Sequence, residues 1–100
     1  MIDFSAILGF EWDAGNERKY EKHGVSTAEA EQVFFNVPLL LLDDAAHSLD
    51  EARFHALGKT DEGRQLHITF TLRQSGALIR VISAQDMHKK ERSIYEQADR

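Results

Sequence analysis

A single arginine, Arg80, stands inside the apolar run Leu78, Ile79, Val81 and Ile82. β-branched residues at this density fill a pleated surface and predict a strand packed on both faces. A planar guanidinium delivered by such a strand can grip phosphate oxygens through paired hydrogen bonds. The competing reading of Arg80 is an ion pair with a buried carboxylate such as Glu91, which would tie strand to helix. Arg53, aimed away from Phe54 on a neighbouring strand, is the second candidate, set against the reading of an exposed strand arginine. Imidazole titrates near neutrality when unperturbed, so His23 and His47 are candidates for proton transfer. Against these stand a helix C-terminal position for His23 and a surface-loop position for His47. His55, His67 and His88 read as surface or sheet positions. Tyr95 is either a core aromatic whose hydroxyl reaches the sheet edge or a general acid/base. No H-x-x-x-H or comparable spacing falls on one element and there is no cysteine, so a metal site is not expected.

The elements that would position these groups follow from periodicity and capping. Met1 to Gly9 is an ill-defined lead-in that continues into a short edge strand around Phe10-Glu11-Trp12. Asp13 predicts an N-cap for a short helix to His23, closed by Gly24 as a left-handed residue. Ser26-Thr27-Ala28-Glu29 is a capping box, with Val25 stapled against Ala30, and that helix runs through Val33 and Phe34 until Pro38. Leu39 to Leu42 predicts a strand, and Ala45 to Glu51 a loop carrying His47. From Arg53 the period is two, with Phe54 and Ala56 on one face and Arg53, His55 and Leu57 on the other. Gly58 to Gly63 predicts a turn. Leu66, Ile68, Phe70 and Leu72 then alternate with polar residues as a half-buried antiparallel strand, and Gln74-Ser75-Gly76 turns back. After Ser83-Ala84 the spacing becomes helical, with Met87, Ile94, Tyr95 and Ala98 on the apolar stripe. Asp86, or Ser83 with Asp86 as a short S-x-x-D box, would cap this closing helix. The expectation is an α+β domain with two N-terminal helices, an antiparallel meander of about four strands and a C-terminal helix.

Length and charge bound the rest. One hundred residues with 42% hydrophobic content and one proline make a single domain over 1–100. The lack of cysteine fits a reducing cytosol, and no segment resembles a signal peptide or approaches membrane-spanning length, so a cytoplasmic protein without a membrane partner is expected. A net charge of -5, from 12 Lys+Arg against 17 Asp+Glu, argues against nucleic-acid binding. The bases nevertheless gather at Arg18-Lys19-Lys22 and at Lys89-Lys90-Arg92, which leaves room for a local cationic surface.

Several ordered blocks carry a family resemblance. They are Phe10-Glu11-Trp12-Asp13, Gly15-Asn16 and Lys22-His23-Gly24-Val25-Ser26; His47-Ser48 with Glu51, Arg53-Phe54 and Gly58; Gly63-Arg64-Gln65-Leu66; and Arg80-Val81-Ile82-Ser83-Ala84 with Lys90-Glu91-Arg92 and Tyr95-Glu96. Together they resemble the BrnT toxins of bacterial type II toxin–antitoxin systems over nearly the whole chain. The resemblance implies a RelE-like fold and a metal-independent, cofactor-free endoribonuclease that suppresses growth. It also implies a BrnA-type ribbon-helix-helix antitoxin, whose complex with the toxin binds operator DNA through the antitoxin. Metal-free RNA cleavage requires activation of the 2′ hydroxyl, charge stabilisation at phosphorus and protonation of the leaving 5′ oxygen. On that reading Arg80 and Arg53 stabilise the phosphorane, Glu91 orients Arg80, and His23, His47 or Tyr95 moves protons. Lys22, Lys89, Lys90 and Arg92 would track RNA; the plainer reading of the helical cluster is a solvated face. Family members commonly carry a second arginine directly after the Ile-Ser-Ala segment, where this chain has Gln85. If that arginine meets the scissile phosphate, this copy is weak or silent, acting as a co-repressor module.

Overall fold

The alternation of Leu66, Ile68, Phe70 and Leu72 is realised in the central strand of a five-stranded sheet. A computed structural model describes residues 2–16, 23–44 and 51–100. The strands are β1 (Gly9–Phe10), β2 (Leu40–Asp43), β3 (Arg53–Lys59), β4 (Gln65–Arg73) and β5 (Leu78–Asp86), in the spatial order β1-β5-β4-β3-β2. The helices are α1 (Thr27–Val33) and α2 (Lys89–Ala98), preceded by a 3-10 turn at Phe4–Ala6. Residues 14–16 are helical, while the rest of the helix expected to reach His23, and the loop with His47, lie outside the described residues. The sheet is mixed: β1 joins β5 in parallel, and the other pairs are antiparallel. The anticipated meander of about four strands therefore gains a short fifth member, which closes the sheet across a large sequence separation.

Each face of the sheet buries a different cluster. On one side Ala56, Leu66, Ile68, Phe70, Ile79, Val81 and Ala84 pack with Val25, Ala30 and Val33. The lead-in belongs to this side, since Ile2, Phe4 and Ile7 pack against the cluster. Helix α1 is fixed by the expected capping box: Glu29 N donates to Ser26 Oγ at 3.1 Å, and Ser26 N donates to Glu29 Oε1 at 3.0 Å. That amide is the largest influence holding the Glu29 carboxyl below its ordinary range. On the opposite side Tyr95 of α2 packs with Leu57 and Met87 in a smaller cluster, with Leu40 at the margin. No helix among the described residues is long and apolar enough to cross a membrane.

Strands β1 and β2 lie within about two residues of their expected places, and two other boundaries differ more from the sequence reading. Gly58 belongs to β3 and not to the turn, which instead closes where Thr60 N donates to Arg64 O at 2.9 Å. A Cβ on Gly58 would lie 2.6 Å from Val33 Cγ1, so only hydrogen lets α1 sit this close to the strand. Gly58→Ala is expected to cost about 1–3 kcal/mol through overpacking, read as a lower urea midpoint with unchanged m-value; an unshifted midpoint would mean that α1 does not press on β3.

The second difference concerns the end of β5. Pairing with β4 continues to Asp86, opposite Leu66, so Ser83 and Asp86 are strand residues and do not cap a helix. Helix α2 instead starts after His88, whose amide donates to Glu91 Oε1 at 2.9 Å. The register shift between Thr69 and Phe70 leaves Ile82 without an opposite residue. This β-bulge moves the inward phase from Ile79 and Val81 to Ala84. That is why the spacing looks helical before the strand ends.

Candidate active site

The antiparallel register arranges the polar side of the sheet in rows. Arg53 of β3 lies opposite Thr71 of β4, and Thr71 lies opposite Arg80 of β5. Paired residues project to the same face, so the two arginines flank Thr71 on the side away from the larger core. The next row is His55, Thr69 and Ser83, and the one after it Leu57, His67 and Gln85. Thr71 is buried and its hydroxyl donates to Ala52 O at 2.6 Å, which steadies the middle of the first row.

Arg80 is held from the β1 side. Its Nη1 donates to Glu11 Oε1 at 2.8 Å and to Asp13 Oδ2 at 2.9 Å, and its Nη2 donates to Asp13 Oδ1 at 3.2 Å. The partners are thus Glu11 and Asp13, whereas the sequence reading offered Glu91. Asp13 is the first cause of the raised Arg80 pKa, and Arg80 is the first cause of the lowered Asp13 pKa. Asn16 sets up this clamp. Buried to 2% exposure, it donates to Glu11 O at 2.9 Å and Val81 O at 3.1 Å, and accepts from Asp13 N at 2.8 Å. Gly15 leaves room beside the clamp, since a Cβ there would meet Asp13 Oδ1 at 3.0 Å and Arg80 Nη2 at 3.3 Å.

A line of titratable groups crosses the same face. His55 Nε2 lies 2.9 Å from Asp44 Oδ2, and His55 Nδ1 lies 2.9 Å from His67 Nε2 and 3.0 Å from Thr69 Oγ1. His67 Nδ1 is 2.9 Å from Glu91 Oε2. That nitrogen is sealed from solvent yet makes no well-directed hydrogen bond, so the carboxylate meets it chiefly through charge. Burial is the largest effect on the His67 pKa and lowers it; Glu91 opposes, and His55 and His88 add to the lowering. The rings form the polar wall of an open groove of about 310 Å³ whose apolar lining is Leu40, Leu42, Leu57 and Ile94.

The remaining candidates are spread out. Glu91 is therefore divided between the α2 amide and His67. Tyr95 is fully buried, and its hydroxyl donates to Pro38 O at 2.6 Å, which is the packing role; burial raises its pKa. His23 is exposed and borders a shallow pocket with Gln85, Asp86, Met87 and His88. Lys89, Lys90 and Arg92 are exposed on α2, with Arg92 Nη1 donating to Met87 O at 3.0 Å. Lys22 and His47 lie outside the described residues. Among the described residues no group of three or more His, Asp or Glu side chains is placed to hold a metal ion.

Residues 12–91 match the family profile described as ribonuclease toxin, BrnT, of type II toxin–antitoxin system. The chain belongs to the BrnT family. The matched span takes in β2 to β5 and the first turn of α2, and hence every row of the polar face. A comparison with curated proteins finds no match. As a BrnT toxin the chain comes from a family of ribonucleases that operate against an antitoxin partner. The histidine pair on β3 and β4 is what the residue-by-residue reading missed. The available signal was that both rings fall on the polar phase of adjacent strands, two residues out of register, where long side chains touch diagonally.

Proposed function

We propose that this chain is a RelE-like, metal-independent endoribonuclease toxin whose phosphate-binding groups are Arg53 and Arg80, set on either side of the buried Thr71. The observation that carries the reading is the register that brackets Thr71 with two guanidinium groups on one sheet face. Two fixed cations at a phosphodiester stabilise the charge that builds at phosphorus as the 2′ oxygen attacks, without any metal. Asp13 and Glu11 hold Arg80 until RNA arrives. The Asp13 side chain is more than half exposed, so its hold is that of a solvated ion pair and yields at little cost. The antitoxin on this reading is a BrnA-like ribbon-helix-helix protein that covers the polar face and links the complex to operator DNA.

A second reading, a catalytically silent co-repressor module, is favoured by three observations: Arg80 already meets two carboxylates, the net charge is -5, and Gln85 stands opposite His67. Expression of the protein alone under tight induction separates the two. The nuclease reading expects growth arrest and RNA cleavage that persists in EDTA. Intact antitoxin binding with neither effect leaves the silent module, and cleavage abolished by EDTA overturns the metal-free mechanism.

A further inference from the structure

Strand β2 forms one margin of the sheet, with β3 on its inner side and no strand on its outer side among the described residues. Asp44 N donates to Arg53 O at 2.9 Å. By the alternation of an antiparallel pair, Leu42 and Leu40 are then the β2 residues bonded to β3. The N–H and C=O groups of Leu41 and Asp43 therefore point outward. Such a margin usually carries a lysine, a proline or a bulge that discourages further pairing. Here the strand is Leu40-Leu41-Leu42-Asp43 in unbroken register with β3, and Leu42 is 61% exposed.

Both faces of this margin are hollow. On the polar side lies the groove of about 310 Å³, lined by Leu42 and by Ile94 of α2, which is 52% exposed. On the other side Leu41 and Asp43 border a second hollow of about 520 Å³ with Ile2 and Phe4 of the lead-in. An added strand sends successive side chains to alternate faces, so one extended segment fills both hollows while its backbone bonds Leu41 and Asp43. Charge selects the occupant. Asp43 is exposed, Asp44 follows it, and the chain carries a net charge of -5. A second copy that paired Leu41 with Asp43 in both directions would make the two Asp43 side chains diagonal neighbours, about 7–8 Å apart, between two acidic chains. A basic segment is attracted by the same carboxylates.

We propose that the outer edge of β2 is where the antitoxin docks, through an extended segment that adds to the sheet as a further strand. That segment is apolar on both faces and carries Lys or Arg where it passes Asp43 and Asp44. This rests on the antitoxin partner of the reading above and deepens it, and it does not depend on RNA cleavage. The added strand lies two strand spacings from β3, about 9.5 Å. Asp44 is bonded to Arg53, so a chain that leaves the margin beyond Asp43 comes beside the Arg53 end of the polar face. Pairing at the margin thereby leads the antitoxin onto that face.

Two measurements on the full chain and the antitoxin encoded beside it test this. The first is amide hydrogen exchange by NMR, on the free chain and on the saturated complex. The outward amides of Leu41 and Asp43 should exchange fast when free and at least about tenfold more slowly in the complex. Amides that stay fast in the complex overturn the added strand. The second is antitoxin affinity. Leu42→Asp replaces an exposed side chain, so the melting temperature should hardly move, while binding weakens about 10–100-fold. Asp43→Lys should weaken binding more at low salt than at high salt, as charge complementarity requires. Sedimentation of the chain alone should give a monomer; a dimer that Leu42→Asp dissociates gives the edge to a second copy and overturns the proposal. Wild-type affinity in both variants overturns this seat and leaves the partner reading standing, whereas a wild-type chain that binds no antitoxin removes both.

Discussion

Phe70→Ala will remove about 3–5 kcal/mol of folding stability, a large share of the ~5–15 kcal/mol typical of a domain. Phe70 has no exposed surface and sits at the middle of β4. Its ring meets Phe34 edge-on at 5.1 Å and Phe54 at 5.5 Å, so it joins the end of α1 to β3 across the larger core. Truncation forfeits the transfer free energy of the ring and leaves a cavity that paired strands cannot collapse to fill. Phe35→Ala is the matched control. That ring is 77% exposed and meets Phe10 at 6.2 Å, and its loss should stay within about 0.5 kcal/mol. Urea denaturation of both variants reads the difference, and a Phe70 effect under ~1 kcal/mol, the common value for an arbitrary mutation, would contradict this packing.

Arg53→Ala is expected to lower the RNA cleavage rate by about 10²–10³-fold, the usual penalty for losing one preorganised donor to developing charge. Arg53 is only half-buried and lies in the first position of β3, so the variant should fold with a nearly unchanged melting temperature. Arg53→Lys should recover only part of the rate, because an ammonium cannot present the paired donors of a guanidinium. The measurement is single-turnover cleavage of an unstructured RNA by purified toxin, with antitoxin binding followed in parallel. Unchanged cleavage in Arg53→Ala would remove this row from the mechanism. Loss of antitoxin binding with cleavage intact would make the row a docking surface.

Local signals carried most of the architecture. The capping box at Ser26 and Glu29, the alternation from Leu66 to Leu72, and the left-handed Gly24 at φ 69° each depend on neighbours within a few residues, and each is found. The partners of Arg80 were illegible for the opposite reason. Glu11 and Asp13 lie 69 and 67 residues away in sequence and meet Arg80 through a parallel pairing of only two residues per strand. His88 carries none of the side chains preferred at a helix start, so the true beginning of α2 had no signature beyond Glu91. The His55–His67 contact needed the hairpin register, which Gly58 concealed by looking like part of the turn.

The unpaired Ile82 decides which residues can cooperate. Positions 80 and 85 have opposite parity, and in an uninterrupted strand one of them would point into the hydrophobic interior. A single inserted residue cancels that mismatch, so a cation near one end of β5 and an amide near the other project from the same face of the sheet. The side chain at 85 can therefore change without disturbing the one at 80, for as long as the extra residue between them is kept.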